Sequence, residues 1–470
     1  MSDTEINTEH GSQSEDESDG STLHSKDTLS GHDEEFDEKH NIFDIAPPLR
    51  EQLSARYKHS FAYRTFRKRV PQMLNELITC MRENETRIME QCGDYARYDL
   101  RRVIWSLEIL RTEVQKNSEF KHFVDKDPGA SEWNIFIKKL ENREKNQWFT
   151  STWMDAECYL YRRIWAAFRR ADTLSSYDYF SPKKICSTRN NVFLLRSVLK
   201  GTRDLPRCRL HFLLILKLSL WANRCDLSIR TDAPNERFIE QMVDFDEHLI
   251  ADQSEDVWHL LTEGIHSSVC PVTVDIVLDN AGFELFADLL LGEYLIEAGL
   301  AVKVRYHVKD IPWFVSDVTA NDFNWMLQFF LRHEISELSA FGRKLRRFMR
   351  KKSFELCQAC SFWTKPQCFK FMREMAPCLY VQLSLGALTI FKGDLNYRKL
   401  LDDVNWNSTT PFSECLSGFL PTSICALRSI KSDLYCGLPL CVVEWLTEED
   451  PNWMCTGEKA VIQLAVKPRP

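Results

Sequence analysis

The stretch PVTVDIVLDN (271–280), continued by AGFELFADLLLGEYLIEAG (281–299) and AVKVRYHVK (301–309), decides the fold. Its first part is a β-branched run that stops at two polar residues, Asp279 and Asn280. The middle part reads as a helix ending at Gly299, and the last part alternates apolar and basic residues as a strand does. Strand, helix and strand at this spacing predict a right-handed crossover between parallel neighbours. Runs at 387–391, 423–427 and 460–466 supply further strands. The expected fold class is therefore α/β: a three-layer α/β/α domain with a mostly parallel central sheet over residues 236–470.

Upstream the texture is helical. Residues 70–91 place Met73, Leu74, Leu77, Ile78 and Met81 at spacings of three and four. Residues 98–114 repeat the pattern with Leu100, Val103, Ile104, Leu107 and Leu110, and 153–168 do so with aromatics. Residues 210–220 are almost wholly apolar, as in a buried helix. Residues 46–235 are thus expected to form a helical N-terminal subdomain, entered at Pro47-Pro48.

The net charge of −8 is a property of one end. Residues 1–45 hold 14 acidic and 2 basic residues, which leaves residues 46–470 at +4. With few apolar residues, that acidic tail is expected to be disordered. Hydrophobic residues make up 44% of the chain, enough for a sizeable core, so a collagen-like or wholly disordered chain is excluded. No apolar run reaches the roughly 18 residues that span a bilayer, and MSDTEINTEHGSQSEDESDG (1–20) has no signal-peptide core. Sixteen cysteines without a secretory signal suggest reduced thiols in a cytoplasmic protein, or one that is also nuclear, with no membrane partner.

In open α/β sheets the ligand site lies beyond the carboxyl ends of the strands. One strand ends at Asp279-Asn280, and WFVSDVT (313–319) brings Asp317 to what reads as another strand end. Two carboxylates and an amide oxygen make a hard donor set for Mg²⁺ or Mn²⁺, with open positions for water and substrate. The plain alternative is that Asp279 and Asp317 each cap a helix. LTIFKGDLNYRKL (388–400) adds a strand followed by Lys392, Gly393, Asp394 and Asn396, a turn where Lys392 and backbone N–H groups would face an anion. LRSIKSD (427–433) adds Arg428 and Lys431, which are suited to phosphate or to ordinary surface charge. Acids for a metal and cations for a phosphate are the division of labour of a metal-dependent phosphatase.

Taken together, SFAYRT (60–65), ECYLYRRI (157–164), WANRCDLS (221–228), DNAGFELFADLLL (279–291), IPWFVSDVT (311–319), FKGDLNYRKL (391–400) and LRSIKSD (427–433) resemble the metal-dependent damage-control phosphatases. The match is to their eukaryotic subfamily, also described as protein-glutamate methyltransferases. The resemblance implies hydrolysis of sugar phosphates such as fructose 1-phosphate and fructose 6-phosphate, with Mn²⁺, Ni²⁺, Co²⁺ or Mg²⁺. It implies metal ligands at Asp279, Asn280 and Asp317. It also implies substrate contacts at Asp279, Asn280 and Glu284, at the loop Gly393, Asp394, Leu395, Asn396 and Tyr397, and at Arg428 and Lys431. The family's R-T-x-K motif reads R-S-I-K here, with Ser429 keeping the hydroxyl and losing a methyl. Asp317 or Asp394 is expected to orient an attacking water, or else Asp279 itself is the nucleophile.

The alternative that the family name carries is S-adenosylmethionine-dependent methyl transfer to a protein substrate. The turn after the first strand holds one glycine and a metal-like acid-amide pair, which fits phosphate chemistry better. Cys357-x-x-Cys360 with Cys368 and Cys378 is read as free thiols instead of a zinc site, because the later spacings are irregular. His307 is expected either to contact phosphate or to be a partly exposed strand histidine. The basic run 342–352 has Leu345, Phe348 and Met349 at helical spacing and reads as a solvated helix face, so no nucleic-acid partner is expected.

Overall fold

The structure is a computed structural model that describes residues 31–124, 127–228, 245–267 and 272–468. Seven strands form one sheet: β1 (Leu249–Asp252), β2 (Thr273–Val277), β3 (Lys303–His307), β4 (Phe354–Leu356), β5 (Leu388–Lys392), β6 (Ser423–Ser429) and β7 (Ala460–Ala465). Their order is β1-β7-β6-β5-β2-β3-β4, and every pairing is parallel except β6 with β7. From β2 the chain builds outward to β3 and β4 on one side, then returns to β5 and β6 on the other. The β2–β5 boundary is therefore a switch point, where open α/β sheets place their ligand crevice.

One sheet face carries Val274, Ile276, Tyr306, Leu388, Ile390, Cys425 and Ile462 into a core shared with the helices Arg209–Ser228, Phe283–Glu297 and Ser336–Lys351. The helix Phe283–Glu297 is buried from Phe283 to Leu295, which explains its apolar run without a polar face. On the other face Phe391 packs against Phe369 and Phe419, with ring centroids 5.1 and 6.1 Å apart. Three layers result, as the crossover predicts.

The helical half follows the expected faces. Leu74, Leu77, Ile78 and Met81 are buried on the helix Val70–Glu83, and Leu100, Val103, Leu107 and Leu110 on Ala96–Gln115. The helix Trp153–Arg169 starts at Thr152, whose side chain accepts from the Asp155 N–H at 3.2 Å. Residues 42–470 form one compact unit in which this helical half and the sheet are not separable. Within it Met154 N–H donates to Asp403 at 3.0 Å, and Arg398 pairs with Glu157 at 2.6 Å. The first unit, residues 1–41, is described only from residue 31. There Gly31–Lys39 is helical, with Lys39 in the last turn, where the helix dipole favours a cation. The rest of the acidic tail, residues 1–30, lies outside the described residues.

One strand reading fails. WFVSDVT is not in the sheet. Its backbone turns at Phe314 (φ 40°) and Val315 (φ 66°) and pairs with the segment after β2 instead. Ala281 N–H donates to Ser316 O and Val318 N–H to Asp279 O, each at 2.8 Å. The short strands β1 and β4, of four and three residues, carry no periodic signal of their own.

Candidate active site

Behind β2, β5 and β6 the chain ends gather round a cavity of about 280 Å³. Asp279 and Asn280 follow β2, Gly393, Asp394 and Leu395 open the helix after β5, and Ser429 and Lys431 close β6. The 313–319 turn adds Phe314, Ser316 and Asp317. A fourth wall comes from the helical half: Arg69, Trp153 and Glu157.

Neither aspartate is a helix cap. The helix Phe283–Glu297 starts at Gly282 with no side-chain cap, and the helix Ala320–Arg332 is capped by Thr319 with Asp322. Asn280 ties the cluster together. Its amide donates to Asp279 Oδ2 at 2.7 Å and to Glu284 Oε2 at 2.8 Å, while its Oδ1 accepts from the Ser316 hydroxyl. Burial, with the Asp317 and Glu284 carboxylates nearby, holds Asp279 well above the usual carboxylate range. Burial likewise pushes Asp317 up to about 6, against the pull of Lys309 and Lys184.

Ion pairing around the cavity is uneven. Glu157 faces Arg398 at 2.6 Å, Glu284 faces Lys392 at 3.3 Å, Asp317 faces Lys309 at 3.4 Å, and Asp394 faces Arg428 at 2.7 Å. Among the described residues Asp279 has no such ion pair and accepts from the Asn280 amide, while the buried Asp317 Oδ2 has the Lys309 ammonium at 3.4 Å. A buried carboxylate without a counter-ion, beside a second one held by a single long ion pair, is costly unless a cation joins them. Their chemistry fits a hard divalent ion: two carboxylates and an amide oxygen. Among the described residues no group of three or more His, Cys, Asp or Glu side chains is arranged to hold a metal ion, and the acid-amide set has two acids with Asn280 as its third donor.

Several expected site residues take other work. Arg428 is fully buried and does not line the cavity. Its guanidinium donates to Asp394 Oδ1 at 2.7 Å, Leu434 O at 2.6 Å and Ser432 Oγ at 2.8 Å, so it staples a loop instead of facing solvent. Burial alone would raise Asp394, but Arg428 and Arg398 outweigh it and hold the carboxyl below its ordinary value. Asn396 and Tyr397 turn into the core. Asn396 donates to Lys392 O at 2.7 Å, and the Tyr397 hydroxyl donates to Gln463 at 2.6 Å. Lys392 does not line the cavity; it is buried against the Asp288 carboxylate at 2.7 Å and Glu284 at 3.3 Å. His307 is neither exposed nor in the cavity, being buried 2.8 Å from Asp275. The described cysteines are free, with Cys357 and Cys368 buried and Cys378 exposed.

Lys309, Glu157 and Trp153 escape the sequence reading. A signal existed for the last two: Trp153, Glu157 and Tyr161 stand four apart, so a carboxylate interrupts an aromatic stripe. Lys309 closes the alternating β3 run, where it reads as one more basic residue.

Comparison with known proteins places the chain in a family. The damage-control phosphatase ARMT1-like domain matches residues 65–445. The damage-control phosphatase ARMT1 of Danio rerio is 35% identical over 440 residues, covering 90% of this chain and 98% of that protein. Its Homo sapiens counterpart is 31% identical over 430 residues, covering 87% and 97%. A DUF89 family protein from Pyrococcus horikoshii aligns with a TM-score of 0.41 at 17% identity, covering 83% of this chain and 97% of that one. With a matching domain that spans most of its length and a site built at the sheet's switch point, the chain belongs to the damage-control phosphatase ARMT1-like family.

Proposed function

We propose that this phosphatase is metal-dependent and hydrolyses sugar phosphates such as fructose 1-phosphate and fructose 6-phosphate, a damage-control role in hexose phosphate metabolism. The observation that carries the reading is the closeness of Asp279, which has no ion-pair partner among the described residues, to the buried Asp317, whose Oδ2 has the Lys309 ammonium at 3.4 Å. Asp279, Asn280 and Asp317 would hold Mn²⁺, Ni²⁺, Co²⁺ or Mg²⁺, which supplies charge neutralisation at the phosphate and a more acidic water. The helix Gly393–Leu400 opens at the cavity with no side-chain cap, and the N–H groups of its first turn favour a phosphate oxygen. Lys431 adds a cation on the same wall. Asp394, kept ionised by Arg428, is an acceptor for a water that approaches the phosphorus. The single-glycine turn after β2 offers S-adenosylmethionine no Gly-rich seat, and methyl transfer gains nothing from the geometry.

The test is phosphate release from fructose 1-phosphate by purified protein, with chelator, Mn²⁺ or Ni²⁺, beside Asp279→Ala. Release that requires both the ion and Asp279 is expected. Release that persists in chelator, or in the Asp279 variant, overturns the reading.

A further inference from the structure

Resting on that phosphatase reading, we propose that Arg69, from the helical half of the chain, is the guanidinium that receives the substrate's phosphate. This is the role that the motif alone assigns to Arg428. The need for such a group follows from charge. Five carboxylates border the cavity: Glu157, Asp279, Glu284, Asp317 and Asp394. A phosphate dianion entering there is repelled unless cations on the wall face it. The buried cations are already engaged, since Arg398, Lys392, Lys309 and Arg428 each lie within 3.4 Å of a carboxylate.

Arg69 differs from all four. It lines the same cavity, is exposed, and has no carboxylate in ion-pair range among the described residues. Its place is also built. The guanidinium lies over the Phe61 ring, 4.9 Å from the centroid. Phe61 in turn meets Trp153 edge-on at 5.9 Å, and Trp153 carries Arg398 on its ring at 3.6 Å. This ladder of rings holds Arg69 on the wall through contacts worth about 1 kcal/mol each.

The backbone points the same way. Thr65–Arg69 is one turn of π-helix set between the helices Phe61–Arg64 and Val70–Glu83. A π-turn inserts an extra residue and re-aims the side chains that follow it, and such turns recur at functional sites. Here the residue that ends the turn is Arg69. Its charge is among those that pull on the Tyr161 hydroxyl, which burial otherwise pushes up, and Tyr161 stacks on Phe314 beside the Asp317 turn at 4.4 Å.

Titration calorimetry of inorganic phosphate into the Mn²⁺-loaded full chain tests the assignment without turnover, together with KM and kcat for fructose 1-phosphate. Arg69→Ala is expected to weaken phosphate binding and raise KM about tenfold to a hundredfold, the worth of a charge-assisted pair. Its kcat and its Mn²⁺ affinity should hold within about threefold, and Arg69→Lys should recover part of the loss. Thermal melts should stay within about 2 °C of the parent, since the side chain is exposed and only its contact with Phe61 is lost. A wild-type chain that binds and hydrolyses, with Arg69→Ala unchanged, overturns this assignment and leaves the phosphatase reading standing. A wild-type chain that neither binds phosphate nor releases it with any of the four ions overturns both.

Discussion

Gly393 and Asp279 share one place: a β-carbon added at Gly393 would overlap the Asp279 carboxylate. Gly393 also sits at φ +82°, a conformation that side chains resist. The close approach of the two loops at the switch point therefore requires glycine. Gly393→Ala is expected to push Asp279 off its position and to destabilise the fold by about 1–3 kcal/mol. Phosphatase activity should fall more than the melting temperature does. A variant with parental activity would show that the loops do not need this contact.

Lys184 connects the helical half to the other aspartate. Its ammonium lies 2.8 Å from Asp322 and 3.4 Å from Asp178, and donates to the Asp317 carbonyl at 3.0 Å. Lys184→Met would leave two carboxylates in a poorly solvated place without their cation, a loss of about 3–5 kcal/mol for a broken buried pair. Urea unfolding would measure it. Lys184→Arg, which keeps the charge, should recover part of that stability, and a Met variant as stable as the parent would contradict the arrangement.

Lys399 supplies a pH dependence that does not involve the site. Burial lowers its ammonium from 10.5 to about 8, and its described hydrogen-bond acceptors are the Trp363 and Lys365 carbonyls. Between those two values the unfolded chain binds the proton and the folded chain does not, so stability must rise with pH across that window. The gain amounts to about 3 kcal/mol at most. In denaturant midpoints from pH 7.5 to 10, the parent should gain relative to Lys399→Met as pH rises. Parallel curves would show that Lys399 is not held in this way.

The readable parts of this chain were those that depend on neighbours in sequence. The β-branched run before Asp279, the apolar helix after it and the two aspartates could be found because strand, helix and turn each leave a local pattern. WFVSDVT misled because its aromatic and β-branched composition favours a strand, whereas its backbone hydrogen bonds go to residues 279–281. Arg428 misled for another reason. An arginine that grips a phosphate and one that staples an aspartate are the same letter, and only the placement of Asp394, Ser432 and Leu434 separates them. The wall of Arg69, Trp153 and Glu157 is tertiary altogether, brought to β2 and β5 from more than a hundred residues away.

Val315 stores strain beside the metal-ligand candidate. A β-branched residue at φ 66° is a costly outlier, worth about 1–3 kcal/mol, and Phe314 before it is also left-handed at φ 40°. The turn persists because its flanks are held: Phe314 by the stack on Tyr161, Ser316 by Asn280, and the Asp317 carbonyl by Lys184. Glycine at 315 would remove the strain but add about 0.5–1 kcal/mol of unfolded-state entropy. Stability of Val315→Gly should therefore be equal to the parent's or higher. The same change frees the turn that aims Asp317, so kcat should drop, following the usual opposition between a relaxed backbone and a pre-organised site. Melting and turnover measured on one preparation would separate the two effects. A variant that loses stability in step with activity would show that Val315 contributes packing there and that its backbone is not strained.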